Sequence, residues 1–366
     1  MTSLKRAEGA LWAAFCGDAL AMPVHWYYNI RDIQTDFGRI ADFKEPKSFH
    51  PTSIMNVSNT GGHGRGDQRG NIIGGVILHD KKQFWGRSGI HYHQGMKAGE
   101  NTLNALVARV LMRSVTNQGQ YQPLNFLQDY IKYMTTPGTH NDTYAESFHR
   151  DFFKNWAEGK DPLKCAGVED HNTASMGGLV MIPPILCLYH RQPEVAEQKA
   201  VEHMSLTHQS GRLADHVRVY ARIFCQVMNS ERCPLPPEQL RAIIYKQCKE
   251  DLNLDLRPLV EKYSGRGDVR VDASVVGGKF SSACYIDDSL PSLLFLAAKY
   301  ADSVEEALIA NTNVGGENCH RGFALGALMG AAHGIQGIPK RWIDGLDSHD
   351  ELSKEIQAFA SLCDQK

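Results

Sequence analysis

Several features are scarce in this sequence, and each absence excludes a class of protein. No uninterrupted apolar run reaches the roughly 18 residues that a membrane-spanning helix needs. The net charge is only −2 over 366 residues, which leaves no basic surface of the kind that binds nucleic acid or an anionic membrane. We therefore expect neither a nucleic acid nor a membrane as a partner.

Paired cysteine motifs are also missing. The nine cysteines are scattered, and no two of them form a C-x-x-C motif. This pattern indicates neither a disulfide framework nor a structural zinc site. The first twenty residues lack the long apolar core and the small-residue cleavage site of a secretory signal. Together these observations predict reduced thiols and a cytoplasmic location.

Strand-like alternation is scarce, whereas helical spacing recurs along the chain. Apolar residues three and four positions apart predict a first helix that ends at Gly17 and another that begins near Leu103. Two further helices are predicted at residues 291–300 and 304–310. We therefore expect an all-α fold.

One long segment, about residues 40–96, lacks this helical spacing. It is rich in glycine, histidine, serine and asparagine and contains GGHGRGDQRG at residues 61–70. Irregular stretches of this length are usually functional or mobile. A second polar segment covers residues 137–172. Because no change in composition marks a linker, we expect one domain over residues 1–366.

The most informative segment is Asn311 to Gly330. Gly315 and Gly316 permit a tight turn, and four polar or reactive residues follow at once, namely Glu317, Asn318, Cys319 and His320. Core packing does not require such a run, so we interpret it as a site. In the helix that follows, glycine recurs at every fourth position, which predicts close approach of neighbouring helices, at Gly322, Gly326 and Gly330.

The same Gly-Glu-Asn sequence occurs at residues 99–101, just before Thr102 and another predicted helix. Two copies at helix starts suggest that two helix N-termini converge on one ligand. Glu100 or Glu317 could then act as a general base that activates water. Alternatively, both glutamates only complement the helix dipole.

Cys319 and its neighbours allow two interpretations. A thiol at a helix N-terminus and beside His320 would have a lowered pKa and form a reactive thiolate. Equally, a free cysteine commonly packs as a small buried residue. His91 and His93, two residues apart and close to Glu100, are secondary candidates for the same cleft.

A further group of candidates lies between residues 170 and 178. Asp170 and His171 could bind a ribose diol or a diphosphate, although a polar turn capped by Asp170 explains them equally well. After Ser175, the glycines Gly177 and Gly178 would let backbone N–H groups approach a phosphate. We include these residues, with Asn318 and His320, as candidate substrate-binding residues.

Several motifs together resemble the ADP-ribosylglycohydrolase family. They follow the family's order over nearly the whole chain, as Gly9-Ala10-Leu11, Gly17-Asp18-Ala19-Leu20, Ser175-Met176-Gly177-Gly178, Leu206-Thr207-His208, Asp288-Ser289-Leu290-Pro291, and Gly326-Ala327 through Ile338-Pro339. The resemblance implies a single compact multi-helix orthogonal bundle with its site in a central cleft. It also implies a hydrolase that cleaves an ADP-ribosyl or related ribosyl linkage of a small-molecule or ADP-ribosylated substrate.

The resemblance implies a metal site as well. Typical members hold two Mg²⁺ ions with aspartates and threonines at two helix starts, and the positions carried over to this chain are Glu100, Asn101, Thr102 and Glu317. Only two of these are carboxylates, so we expect weaker Mg²⁺ binding or a single ion. The Cys319 and His320 pair would suit zinc better by ligand softness. His25 lies near the place of a glutamate that is common in the family.

These departures resemble a divergent branch that contains the jellyfish J crystallins and selenoprotein J. Three hypotheses therefore stay open. The first is a hydrolase with a modified metal site that uses Glu100 and Glu317. The second is a non-catalytic, crystallin-like or ligand-binding protein on the same scaffold. The third is a thiol-dependent activity at Cys319. The oligomeric state is not predicted.

Overall fold

The computed structural model describes residues 2–53, 55 and 72–366. Within these residues the chain forms sixteen α-helices and no β-strand beyond isolated bridges, such as Phe49 with Ile90. The all-α prediction is therefore confirmed. The GGHGRGDQRG motif at residues 61–70 lies outside the described residues.

The α-helices are numbered α1 to α16 in chain order. They are Thr2–Ala21, Ile30–Phe37, Leu103–Gln118, Pro123–Thr135, Ser147–Ala157, Ile182–Tyr189, Pro193–Ser205, Gly211–Met228, Pro237–Asp251, Arg257–Lys262, Val269–Ala273, Ile286–Lys299, Val304–Asn313, Asn318–His333, Lys340–Gly345 and His349–Gln365. Between residues 40 and 96, the described part contains only a π-helical turn at Ile72–Ile77 and a 3-10 turn at Lys81–Phe84. That part of the chain is irregular, as predicted.

Helix α14 is the centre of the bundle, and all of its residues are buried. Helix α1 packs directly along it through small residues. A Cβ atom added at Gly17 would overlap the carbonyl oxygen of Gly322, and one at Gly326 would overlap that of Ala13. The predicted close approach is confirmed, because only glycine lets the two backbones come this near.

Two predicted helix boundaries were wrong. Gly17 does not end α1, which continues to Ala21, because this glycine serves the contact with α14 rather than a cap. Helix α12 begins at Ile286 rather than at Pro291, which lies inside the helix. No helix of the described part is both long and apolar enough to cross a bilayer.

Candidate active site

The tight turn between α13 and α14 positions the candidate site. Gly315 and Gly316 both have positive φ angles, of 67° and 66°. Behind the turn, the buried Arg321 guanidinium donates to the carbonyl oxygen of Gly315 at 2.7 Å and to Asn311 Oδ1 at 2.7 Å. The backbone N–H of Glu317 donates to the carbonyl oxygen of Ser282 at 2.8 Å. The turn thus directs Glu317 into the protein interior.

The Glu317 carboxylate is fully buried and surrounded by donors. His25 Nε2 lies 2.9 Å and His320 Nδ1 2.6 Å from its Oε1 atom, and the Trp26 indole N–H donates to Oε2 at 2.6 Å. Burial would raise the pKa of Glu317, but the positive charge of His320 and the hydrogen bonds hold it well below its ordinary value. Glu317 is therefore ionised, saturated with partners and poorly suited to accept a proton.

His320 lies between two carboxylates. Its Nδ1 atom faces Glu317 and lies 3.2 Å from Glu146 Oε1, while the amide of Asn104 lies 2.9 Å from its Nε2. Burial would lower the pKa of His320, but Glu146 and Glu317 outweigh it and raise this pKa to about 10. The two carboxylates therefore favour the charged form of His320 in the first turn of α14.

Glu146 is the carboxylate of this group that retains some exposure. It precedes α5, and its side chain is 14% exposed. A Cβ atom added at Gly177 would lie 2.5 Å from Glu146 Oε2, so the carboxylate lies directly against the glycine-rich segment. Burial raises the pKa of Glu146, although His320 opposes the shift. A carboxyl group with these properties can both accept and return a proton.

A chain of hydrogen bonds joins the starts of α14 and α3. His25 Nδ1 lies 2.7 Å from His93 Nε2, and His93 Nδ1 lies 2.8 Å from Asp142 Oδ1. The other oxygen of Asp142 accepts from the backbone N–H of Leu103 at 2.8 Å and so caps α3. The two helix starts do converge, as expected. They meet around a cavity of about 10 Å³, the space open to a water-sized sphere, lined in part by His25, His93, Asn104, Asp142, Glu146 and His320.

Comparison with known proteins gives this arrangement a context. The family model for the ADP-ribosylglycohydrolases matches residues 1–366. The chain belongs to the ADP-ribosylglycohydrolase family. A solved structure described as an ADP-ribosylglycohydrolase-related protein complex aligns with a TM-score of 0.64 and 18% identity over 99% of each chain. At this identity, the likeness to the solved structure shows the fold alone. None of the curated proteins compared with the chain matches it significantly.

In this family member, Glu100 has a different environment from Glu317. Its Oε2 atom accepts from the backbone N–H of Lys97 at 2.6 Å and from Asn141 Nδ2 at 3.1 Å. These contacts close a local turn next to solvent. The structure does not bring the two predicted catalytic glutamates into one hydrogen-bonded group.

Asn101 and Thr102, the two other predicted metal ligands, donate hydrogen bonds to the buried carboxylate of Asp18. Thr102 donates its hydroxyl to Asp18 Oδ1 at 2.6 Å, and Asn101 donates to Asp18 Oδ2 at 2.9 Å and to the carbonyl oxygen of Phe15 at 2.8 Å. At α14, imidazole nitrogens surround Glu317 instead of oxygens. Mg²⁺ requires oxygen ligands in octahedral arrangement, and this donor set does not fit it. Weakened Mg²⁺ binding stays a prediction that the geometry favours.

Cys319 is fully buried beside Ala21, Met22 and Met96. Burial raises the pKa of its thiol well above the ordinary value. Of the two interpretations, the lowered pKa of a reactive thiolate is therefore not found, because burial and the nearby carboxylates both raise this pKa. The interpretation as a buried packing residue agrees with this environment.

The predicted substrate-binding residues divide into two groups. Gly177 lies at the site, and Ser175 pairs with Tyr285 beside it, whereas Gly178 packs under His208 and Leu213. His320 also lies at the site, between Glu146 and Glu317, whereas the remaining candidates lie elsewhere or serve the scaffold. Asp170 accepts from the backbone N–H of Asn172 at 2.7 Å in a turn where His171 is exposed, and the buried Asn318 donates to the carbonyl oxygen of Thr312 at 3.1 Å.

Sequence reasoning missed several residues of the site. Asp142 and Glu146 lie in the polar segment at residues 137–172, in which only Asp170 and His171 were predicted to bind a ligand. Trp26 has a positive φ of 60°, which is a strained conformation for a bulky residue. Its backbone N–H donates to the carbonyl oxygen of Gly316 at 2.9 Å. Asn104 was hidden within the apolar pattern of α3. No motif marked these positions, since each acquires its role from a distant partner.

Proposed function

We propose that this family member hydrolyses an ADP-ribosyl or related ribosyl linkage, with Glu146 as the residue that transfers protons. One observation carries the proposal. Glu146 is partly exposed, lies against the Gly177 backbone and has a raised pKa, whereas Glu317 is buried and saturated with donors. The family's hydrolase-like character supplies the reaction class.

The proposed reaction uses water as the nucleophile. Its oxygen forms a bond to the anomeric carbon, and the bond from that carbon to the leaving nitrogen or oxygen breaks with its electron pair. Glu146 takes the proton from the water and returns it to the leaving group. The His320 imidazolium at 3.2 Å orients Glu146 and favours its ionised form, while Glu317 holds His320 in place.

The test compares two carboxylates by isosteric substitution. Glu146→Gln should lower kcat on N-linked and O-linked ADP-ribosyl peptides by about 10²–10⁴-fold, since proton transfer contributes that much. The matched control is Glu100→Gln, which removes a carboxylate from the other Gly-Glu-Asn copy and should keep the wild-type rate. Equal activity of both variants, or loss only in Glu100→Gln, would contradict the assignment.

The size of the cavity favours a second candidate function. At about 10 Å³ it accommodates one water molecule rather than a nucleotide, which supports a non-catalytic protein on the same scaffold. Under this hypothesis the wild-type protein neither turns over ADP-ribosyl peptides nor binds ADP-ribose. The similarity to the jellyfish J crystallins and selenoprotein J, the cytoplasmic location and a thiol-dependent activity at Cys319 stay predictions.

A further inference from the structure

A second set of donor atoms lies on the side of His25 that faces away from Glu317. One ring nitrogen each of His25 and His93 and the sulfur of Cys319 lie within 4.8 Å of one another. The exposed fractions of the three residues are 1%, 2% and 0%. They belong to the turn after α1, the segment before α3 and the first turn of α14. Two imidazoles and a thiol are donors that suit zinc rather than Mg²⁺.

Hydrogen bonding determines which nitrogens are free. His25 Nε2 lies 2.9 Å from the carboxylate of Glu317, and His93 Nδ1 lies 2.8 Å from that of Asp142. An ionised carboxylate only accepts hydrogen bonds, so both of these nitrogens carry protons. The remaining nitrogens, His25 Nδ1 and His93 Nε2, lie 2.7 Å apart. This contact contains one hydrogen in the metal-free protein, and a metal ion that replaces it would be bound by a lone pair of each ring.

The surroundings of this set also favour a soft cation. Cys319 packs against the soft thioethers of Met22 and Met96, and the negative charge of nearby carboxylates, Glu317 among them, acts on its thiol. Carboxylates that accept from the outer N–H of an imidazole commonly orient histidines bound to a metal ion, and both histidines have one. The neighbouring group of His25, Glu317 and His320 differs, because Glu317 Oε1 already has a hydrogen bond to His25 Nε2 and an ion pair with His320 Nδ1.

We infer that His25, His93 and Cys319 bind one zinc-class cation through Nδ1, Nε2 and Sγ, respectively. The ion replaces the proton between the two imidazoles, and the thiol loses its own proton, so binding releases two protons. The two nitrogens then separate to about 3.3 Å, the edge of a tetrahedron with bonds of about 2.0–2.1 Å. These three protein ligands leave the fourth tetrahedral position open, and the ion would join the turn after α1 to the first turn of α14.

Cobalt provides a direct test because Co²⁺ occupies zinc sites and gives an optical signal. The whole protein, freed of metal with a chelator, is titrated with Co²⁺. We expect saturation at one ion per chain, a thiolate-to-cobalt charge-transfer band, and loss of that band when Zn²⁺ displaces the cobalt. Cys319→Ser should abolish the band. The matched control Cys284→Ser, at a partly exposed thiol near Glu146 and Glu317, should retain it.

X-ray absorption of the wild-type Co²⁺ protein tests the ligand set without any substitution. One sulfur and at least two imidazole nitrogens are expected. Absence of the band in folded wild-type protein, its persistence in Cys319→Ser, or a first coordination sphere without sulfur would overturn the inference. If Cys319→Ser fails to fold, the wild-type ligand count decides. None of these readouts depends on turnover, so this inference stands or falls separately from the hydrolase proposal.

Discussion

The two Gly-Glu-Asn copies have the same sequence but different structural roles. In both copies the glycine has a positive φ, 86° at Gly99 and 66° at Gly316, and a Cβ atom there would overlap a backbone carbonyl. The glutamates differ. Glu100 closes a local turn beside solvent, whereas Glu317 is buried among His25, Trp26 and His320.

This difference shows that a local motif determines backbone shape but not the role of its side chains. The glycine requirement comes from the turn itself, so it is common to both copies. The chemistry of each glutamate comes from its partners, which for Glu317 lie in distant segments of the chain. Glu317 meets residues that precede it by almost 300 positions, while the nearest partner of Glu100 is Lys97.

The largest expected contrast lies in the stability effects of the two glutamates. Glu317→Gln removes the ionised partner of a buried imidazolium and should lower the free energy of unfolding by about 3–5 kcal/mol. Glu100→Gln should change it by no more than about 0.5 kcal/mol, as at other surface positions. Urea unfolding of both variants measures the difference. Similar losses in the two variants would show that the copies are equivalent.

Substitution of the glycine in each Gly-Glu-Asn copy should destabilise the protein, since both copies require the same backbone conformation. In Gly99→Ala and Gly316→Ala, the new Cβ lies on a residue with positive φ and also overlaps a backbone atom. Each substitution should therefore lower the free energy of unfolding by more than the cost of a left-handed conformation alone, which is about 1–2 kcal/mol. Gly95→Ala is the matched control, because its φ is 83° and no atom lies within 4 Å of the added Cβ. Gly95→Ala should lower the free energy of unfolding only by the cost of the left-handed conformation. A Gly316→Ala variant as stable as Gly95→Ala would refute the close approach.

The smallest expected effect is a shift in the pH dependence of turnover. The base must be ionised, so the raised pKa of Glu146 moves the acid limb of kcat/KM above the ordinary glutamate range. The charge of His320 lowers the pKa of Glu146, so His320→Gln should move the acid limb to still higher pH. The expected shift is about one pH unit or less, which corresponds to about 1.4 kcal/mol at most. Glu100→Gln should leave the limb unchanged. A shift of the acid limb of kcat/KM to lower pH in His320→Gln would contradict the positive charge assigned to His320.

Much of the fold was predictable from the sequence. Apolar residues at helical spacing predicted the helices, and the glycines of α14 predicted close packing because a missing side chain has a direct steric meaning. The end of α1 was mispredicted because Gly17 also suits a helix end. Only the tertiary contact with Gly322 distinguishes the two uses.

The candidate site was predictable only in part. The turn at Gly315 and Gly316 and the polar run after it drew attention to Glu317 and His320. Apart from His25, which the family resemblance indicated, their partners could not be found, since Glu146 gains its properties from its position against His320 and Gly177. Burial likewise reversed the expected pKa shift of Cys319, and sequence spacing does not report burial of this kind.

Calorimetric binding of ADP-ribose tests the central claim most directly. That claim places the site at α14, beside Glu146, with imidazole nitrogens where an Mg²⁺ site needs oxygens. We predict that wild-type protein and Glu100→Gln bind ADP-ribose with the same affinity, and that added Mg²⁺ changes neither value. Binding that requires Mg²⁺ and disappears in Glu100→Gln would contradict the account, because it would place the ligand at a metal site built from the first Gly-Glu-Asn copy.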